Sequence, residues 1–191
     1  MQGKGGDAMD RGASNYRRFL DGDESAFDDI VNEYRMGLIM FINRYVHDIE
    51  ASEDIAIDVF MQLVIHRRRY NFKVGLKTYL FMMARSRAID YIRHEKKFTM
   101  VKYSEEYEQL TDFFGLEDTV LDRERREVVG KAVEKLPEKM RLAVYLVYFE
   151  GMSYKDAAKV MKKTAKQVDN LLYRAKLELR SILGKEGELL L

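Results

Sequence analysis

Two carboxylates one helical turn apart, Asp54 and Asp58, come nearest in this sequence to a reactive pair. At a spacing of four they share one face of a helix. There, paired carboxylates can exchange protons, hold a metal or form an acidic docking surface. The first two roles need further convergent ligands or a histidine, and none accompanies them. His47, His66 and His94 are the only imidazoles, and no two fall at a zinc-ligand spacing. Cysteine is absent, which removes thiolate metal sites, disulfides and thiol switches. The pair therefore reads as a docking face, with Ile57 and Met61 as adjoining apolar anchors. An isoleucine on an otherwise solvated face itself points to an interface.

A second constellation lies near the C-terminus. Val168, Leu171, Leu172, Ala175 and Leu179 step by three and four, so they face a core. Lys166, Gln167, Asn170, Tyr173 and Arg174 then point outward. Gln and Asn amides suit the paired donor and acceptor on an adenine edge, and Arg suits guanine or phosphate. Lys166 and Lys176 suit phosphates. Asp169 belongs at the edge of such a surface, or discriminates by repelling phosphate or accepting from cytosine. A third group combines Lys77, Arg85, Arg87, Arg93 and Lys96 with Tyr79, Phe81 and Ser86. Cations hold a strand's backbone while flat or pocket-forming groups capture unstacked bases. Phe81 fits a core position equally well.

These groups need helices to position them, and the composition favours helices. The 191 residues include one Pro, no Trp and few Gly beyond the opening stretch. No apolar run reaches membrane-spanning length and no signal peptide is visible, so a cytoplasmic protein without membrane insertion is expected. Residues 1–14 read as a disordered lead-in, with Met9 an alternative start. Asp23 is the expected cap of a helix with Phe27, Ile30, Val31, Tyr34, Leu38 and Phe41 on its apolar face. Ser52 is the expected cap of the next, with Ile55, Val59, Phe60 and Leu63 inward. Residues 67–75 read as a loop. A helix comes next over residues 76–96, with Leu80, Met83, Ala84, Ala88 and Ile92 inward. Further on, Pro137 suits a first helical turn. Leu142, Val144, Tyr145, Val147, Tyr148 and Phe149 form the expected core of that helix. Gly151 ends it, and Ser153 and Thr164 cap the last two helices. Helix, tight turn, short helix, turn and a final basic helix make a helix-turn-helix.

The net charge of +1 conceals segregation. Residues 21–58 are acidic, residues 67–102 basic, residues 104–122 acidic again, and residues 131–185 basic. Two basic blocks with an acidic connector between them suggest two nucleic-acid surfaces. The expected fold is all-α: two small helical domains, residues 15–97 and 122–191, joined by an acidic linker over residues 98–121. Residues 103–114 could hold a short helix within it.

Four segments together resemble the bacterial sigma-70 family of RNA polymerase sigma factors, of the small extracytoplasmic-function (ECF) type. They are Gly22-Asp23 with Ala26-Phe27 and Tyr34; Ser52 through Phe60; Leu76 through Arg93; and Leu136-Pro137 with Gly151-Met152-Ser153-Tyr154, Ala157, Val168 and Arg174-Ala175. The resemblance implies a domain over residues 15–97 that binds core RNA polymerase and the −10 element. It implies a domain over residues 122–191 that binds the −35 element. It assigns Asp54, Ile57, Asp58 and Met61 to core polymerase. It assigns Lys77, Tyr79, Arg85, Ser86, Arg93 and Lys96 to the melted −10 strand, and Lys166, Gln167, Asn170, Tyr173, Arg174 and Lys176 to double-stranded −35 DNA. It adds an anti-sigma factor as a partner and implies no cofactor, no metal and no bond chemistry. The acidic linker would thread the cationic channel of polymerase. Ile57 stands where the family usually has Gln, Tyr79 where it usually has Trp, and Ser86 where many members have Asn. The contacts at those positions must differ accordingly. Two rival readings stay open on the residues alone: a stand-alone helix-turn-helix regulator, and a helical enzyme using Asp54.

Overall fold

The computed structural model describes residues 11–98 and 128–184, and all regular structure among them is helical. The chain divides into two compact units between residues 102 and 103. The acidic connector, the short helix expected within residues 103–114, and residues 1–10 lie outside the described residues.

Helix α1 (Arg11–Leu20) already breaks with the expected lead-in, because Gly12, Tyr16 and Phe19 on it are buried. Helical order therefore starts before residue 15. The Gly-rich composition ahead of it obscured a short stripe at a spacing of four and three. Gly12 is there for a close approach: a Cβ at this position would overlap the Tyr34 hydroxyl of α2.

Helix α2 (Ser25–Val46) is the centre of the first unit. Its stripe of Ala26, Ile30, Tyr34 and Leu38 is buried, and from Leu38 to Ile42 every residue is buried. A helix apolar all round must be covered all round, and α1, α3 and α4 all pack on it. Asp23, the expected cap, sits one residue further out than the helix boundary at Glu24, which makes no side-chain cap bond. The Ser25 hydroxyl donates to the Asp23 carboxylate at 2.6 Å and Arg18 pairs with it at 2.6 Å. Together these hold its carboxyl below the usual carboxylate range, the Ser25 bond most strongly.

His47 ends α2 in the left-handed region (φ 57), and Asp48 starts α3 (Ile49–Ile65) at once. The Asp48 side chain accepts from the Ala51 N–H at 3.0 Å. This corrects the cap assigned to Ser52: that residue is buried inside the first turn, its hydroxyl donating to the Asp48 carbonyl. Asp48 wins because it has extended backbone (φ −145, ψ 118), which points its carboxylate back at the orphan N–H groups. Helix α4 (Leu76–Phe98) closes the unit. Leu80, Ala84 and Ala88 are buried as expected, Met83 and Ile92 only half-buried. Phe81 is fully buried, its ring 5.0 Å from that of Phe41.

The second unit holds helix α5 (described over residues 128–134), α6 (Glu138–Val144), α7 (Tyr154–Met161) and α8 (Ala165–Leu183). Pro137 stands just before α6, its carbonyl accepting from the N–H of Met140 and Arg141 at 2.8 and 3.0 Å. The Arg141 guanidinium donates to the Glu134 carbonyl at 2.8 Å, covering the end of α5.

After α6 the backbone widens into a π-helical turn, Tyr145–Phe149, with the Glu150 N–H bonded to the Tyr145 carbonyl at 3.0 Å. One extra residue per turn rotates the side chains beyond it out of the α-helical register. Leu142, Val144 and Tyr145 are buried as expected, but Tyr148 is 67 % exposed and Phe149 43 %. Placing those two in the core assumed an unbroken 3.6-residue period. Gly151 then turns the chain with φ +64.

Candidate nucleic-acid interface

The turn between α7 and α8 is built by two local devices. Lys162 takes the left-handed conformation (φ 53, ψ 48), and its N–H bonds the Ala158 and Lys159 carbonyls that end α7. Thr164 then caps α8. Its hydroxyl accepts from the Gln167 N–H at 3.2 Å, while the Gln167 side-chain oxygen accepts from the Thr164 N–H at 2.9 Å. Ser153 caps α7 in the same way, accepting from the Asp156 N–H at 3.1 Å.

Helix α8 turns Val168, Leu172, Ala175 and Leu179 inward, with Leu171 half-buried. Lys166, Gln167, Asn170, Tyr173, Arg174 and Lys176 are all exposed. Gln167 needs a correction. Its carbonyl oxygen is engaged in the capping box, so the free two-pronged amide expected for adenine is not presented. Its NH₂ group remains as a donor. The Thr-x-x-Gln spacing is the signal that could have revealed this.

Two aromatic residues of the same surface were missed. Tyr148 and Tyr154 are exposed, 67 % and 40 %. Partial burial raises the Tyr154 hydroxyl above its ordinary pKa, with Tyr148 and Asp169 near enough to add to the shift. Tyr154 directly follows the cap Ser153, which puts it on the first turn of α7, near Asp169 of α8.

In the first unit, α3 presents Asp54, Ile57, Asp58 and Met61 at the expected helical steps. Ile57 is 55 % exposed and Met61 49 %. The apolar row continues to Ile65, 60 % exposed, one further step of four that was not singled out. Asp58 is paired: the Arg87 Nε of α4 lies 3.2 Å from its carboxylate. Arg87 was expected among the cations for a DNA backbone, and its bond to Asp58 directs it to α3 instead.

Along α4, Ser86 and Arg93 are exposed, and Lys77 and Arg85 are half-buried. Lys77 lies 5.9 Å from the centre of the Phe81 ring, which supports the lysine from inside the core and has no open face for a base. Arg93 reaches Asp90 at 3.5 Å. Lys96 lies on α4, its side chain outside the described residues. Tyr79 is half-buried, its ring 5.1 Å from that of Tyr70, and burial raises its hydroxyl pKa. The loop of residues 66–75 adds Arg67, Arg68, Arg69 and Lys73, all exposed. No group of three or more metal-binding side chains occurs among the described residues.

Chemically, the first unit offers an acidic-apolar helix face and a band of cations beside aromatic rings. The second offers a capped helix with polar and basic side chains outward.

Residues 30–98 match the family model for Sigma-70 region 2, and residues 126–179 that for Sigma-70, region 4. The chain is 30 % identical over 165 residues to the RNA polymerase sigma-H factor of Pseudomonas aeruginosa, covering 81 % of this chain and 84 % of that one. It is 27 % identical over 158 residues to the ECF RNA polymerase sigma factor SigM of Bacillus subtilis, covering 83 % and 95 %. Among solved structures, the fold is similar to CnrH in complex with the cytosolic domain of CnrY, with a TM-score of 0.61 at 18 % identity over 91 % of this chain and 96 % of that one. It is also similar to the sigma factor RpoE bound to the anti-sigma factor NepR from Bartonella quintana, with a TM-score of 0.57 at 17 % identity over 83 % and 97 %.

Proposed function

The chain belongs to the sigma-70 family of RNA polymerase sigma factors, to its extracytoplasmic-function type, and on that footing we propose how its surfaces divide the work. As a sigma factor it directs core RNA polymerase to promoters and assists their melting. The acidic-apolar face of α3, with Asp54, Ile57, Asp58 and Met61, docks on core polymerase, and Ile65 extends it. Lys77, Tyr79, Arg85, Ser86, Arg93 and Lys96 of α4, with the basic loop, take the melted −10 strand. Lys166, Asn170, Tyr173, Arg174 and Lys176 of α8, with the amide donor of Gln167, take the −35 duplex. Residues 15–97 and 122–191 are the corresponding domains, and residues 98–121 their linker.

One observation carries this division best. Ile57, Met61 and Ile65 form an exposed apolar row flanked by acids, in the first unit, whereas the helix-turn-helix belongs to the second. A stand-alone regulator has no use for that row, and catalysis would need a polar pocket around Asp54 instead. We assign the protein no bond chemistry and a cytoplasmic place of action, where polymerase and chromosome are found. No helix among the described residues is long and apolar enough to cross a membrane. An anti-sigma factor is a further expected partner, as for the sigma factor RpoE of Bartonella quintana.

The test is retention of bacterial core polymerase by the wild type and by an Asp54→Arg/Asp58→Arg double variant. Retention by the first and loss by the second is expected. Equal retention by both would move the docking face elsewhere.

A further inference from the structure

Helix α1 precedes the residues matched by the region 2 family model. Two of its buried side chains, Tyr16 and Phe19, reach the basic loop of residues 66–75 that joins α3 to α4. The Tyr16 hydroxyl has one proton, which two carbonyls share, that of Leu63 at 3.1 Å and that of Arg67 at 2.9 Å. The first acceptor is on the last turn of α3, where carbonyls lack helical partners. The second is inside the loop. The Tyr16 ring also lies 5.4 Å from Tyr70 and 6.2 Å from Phe72. The Arg17 guanidinium sits 4.9 Å over the Phe72 ring, and that of Arg67 sits 4.6 Å over Phe19 of α1.

The loop these contacts grip is not relaxed. Phe72 has φ 59, in the left-handed region that a bulky side chain avoids. Such a conformation persists only where the surroundings over-determine it, and it gathers where a site must be pre-shaped. Here the rings of Tyr16 and Tyr70 and the Arg17 cation enclose Phe72. The Tyr70 hydroxyl closes the loop on the Val74 carbonyl at 2.7 Å.

We propose that α1 is a brace that holds the basic loop in the shape that receives the melted promoter strand, with Tyr16 and Arg17 as positioning residues. This rests on the reading of α4 and the loop as the −10 surface. Pinning the Arg67 carbonyl fixes where Arg68 and Arg69 leave the fold. Arg69 lies near enough to the half-buried Tyr79 to act on its hydroxyl, so a cation stands beside a partly open ring, the pairing of charge and flat surface that a single strand needs, while Tyr70 stays in the core beneath them. A pre-shaped loop loses less conformational freedom on capture, so the brace raises affinity without touching DNA.

The experiment uses the full chain assembled with core polymerase, and two variants. Tyr16→Phe keeps the ring and removes only the hydroxyl; Arg17→Gln changes an exposed residue. Three quantities are read: tryptic cleavage within residues 67–69, affinity for a single-stranded −10 oligonucleotide, and affinity for a −35 duplex. Both variants should speed loop cleavage and weaken single-strand binding roughly three- to tenfold, the range of one lost hydrogen bond for Tyr16→Phe and of one lost cation–ring contact for Arg17→Gln. Polymerase retention and −35 binding should not change. Unchanged cleavage in both variants would overturn the brace, and weaker binding by Arg17→Gln alone without faster cleavage would make Arg17 a direct contact instead. Faster cleavage with undiminished strand binding would overturn the loop's role in capture. If the wild-type holoenzyme bound no −10 strand at all, the −10 reading itself would fall, while the cleavage arm would still judge the brace.

Discussion

Arg87 of α4 and Asp58 of α3 form an ion pair at 3.2 Å, so an acid on the proposed polymerase face is tied to the helix proposed to carry the −10 cations. Both side chains are nearly half exposed, 43 % and 47 %. An exposed pair contributes only about 0.2–1 kcal/mol, and salt weakens it. A double-mutant cycle with Asp58→Asn and Arg87→Gln should give a coupling of that size in denaturant unfolding. The coupling should shrink between low and high salt. A coupling of several kcal/mol, or one indifferent to salt, would contradict an exposed pair.

Gly12→Ala tests the approach of α1 to α2. Helix propensity alone favours alanine by about 1 kcal/mol. The added methyl would overlap the Tyr34 hydroxyl, however. Overpacking of this kind costs about 1–3 kcal/mol. The variant should therefore unfold at lower denaturant than the wild type; a rise in midpoint would mean that α1 gives way freely.

The capping box of α8 separates stability from recognition. Thr164→Ala should cost about 1 kcal/mol through the lost cap. Gln167→Glu keeps an acceptor for the Thr164 N–H but removes the amide donor and adds a charge that phosphate repels. It should hold the melting temperature while weakening −35 duplex binding. Equal affinity in a filter-binding or anisotropy titration would remove Gln167 from the interface.

The π-helical turn predicts two opposite outcomes two residues apart. Leu146 is fully buried and Tyr148 is 67 % exposed. Leu146→Ala should cost about 2–5 kcal/mol and Tyr148→Ser no more than about 0.5 kcal/mol. If calorimetry gave comparable losses for both, Tyr148 would belong to the core after all.

Tyr16 makes stability fall in alkali. Burial pushes its hydroxyl up to about 12 from an ordinary 10.0. A raised folded-state pKa means the unfolded chain loses its proton first. The stabilisation is complete below pH 10 and is lost as pH rises towards 12, at about 1.4 kcal/mol per unit. Comparing wild type with Tyr16→Phe cancels the other tyrosines and lysines. The wild type should be the more stable at pH 8 by about 1–2 kcal/mol, and its advantage should shrink above pH 10. A difference that stayed constant to pH 11.5 would show that Tyr16 ionises without opening the fold.

What could be read without coordinates was whatever neighbours along the chain decide. Ser153 and Thr164 were legible as caps because a cap bonds an N–H three residues away. Gly151 was legible as a stop because only its own backbone is involved. The inward rows of α3 and α8 follow from spacing, and the order of the motifs from the family pattern. Tertiary structure decided the rest, because it depends on partners far off in sequence or on a change of helical period. Phe81 is core rather than a base-capturing ring because Phe41 packs against it. Asp58 finds Arg87, and Tyr16 finds the end of α3, 47 residues away. Tyr148 turns outward because a single bond from Glu150 back to Tyr145 widens one turn. Gln167 lies between the two cases: its cap was written in the local spacing, but an amide has one carbonyl oxygen, and only the folded helix shows where it is spent.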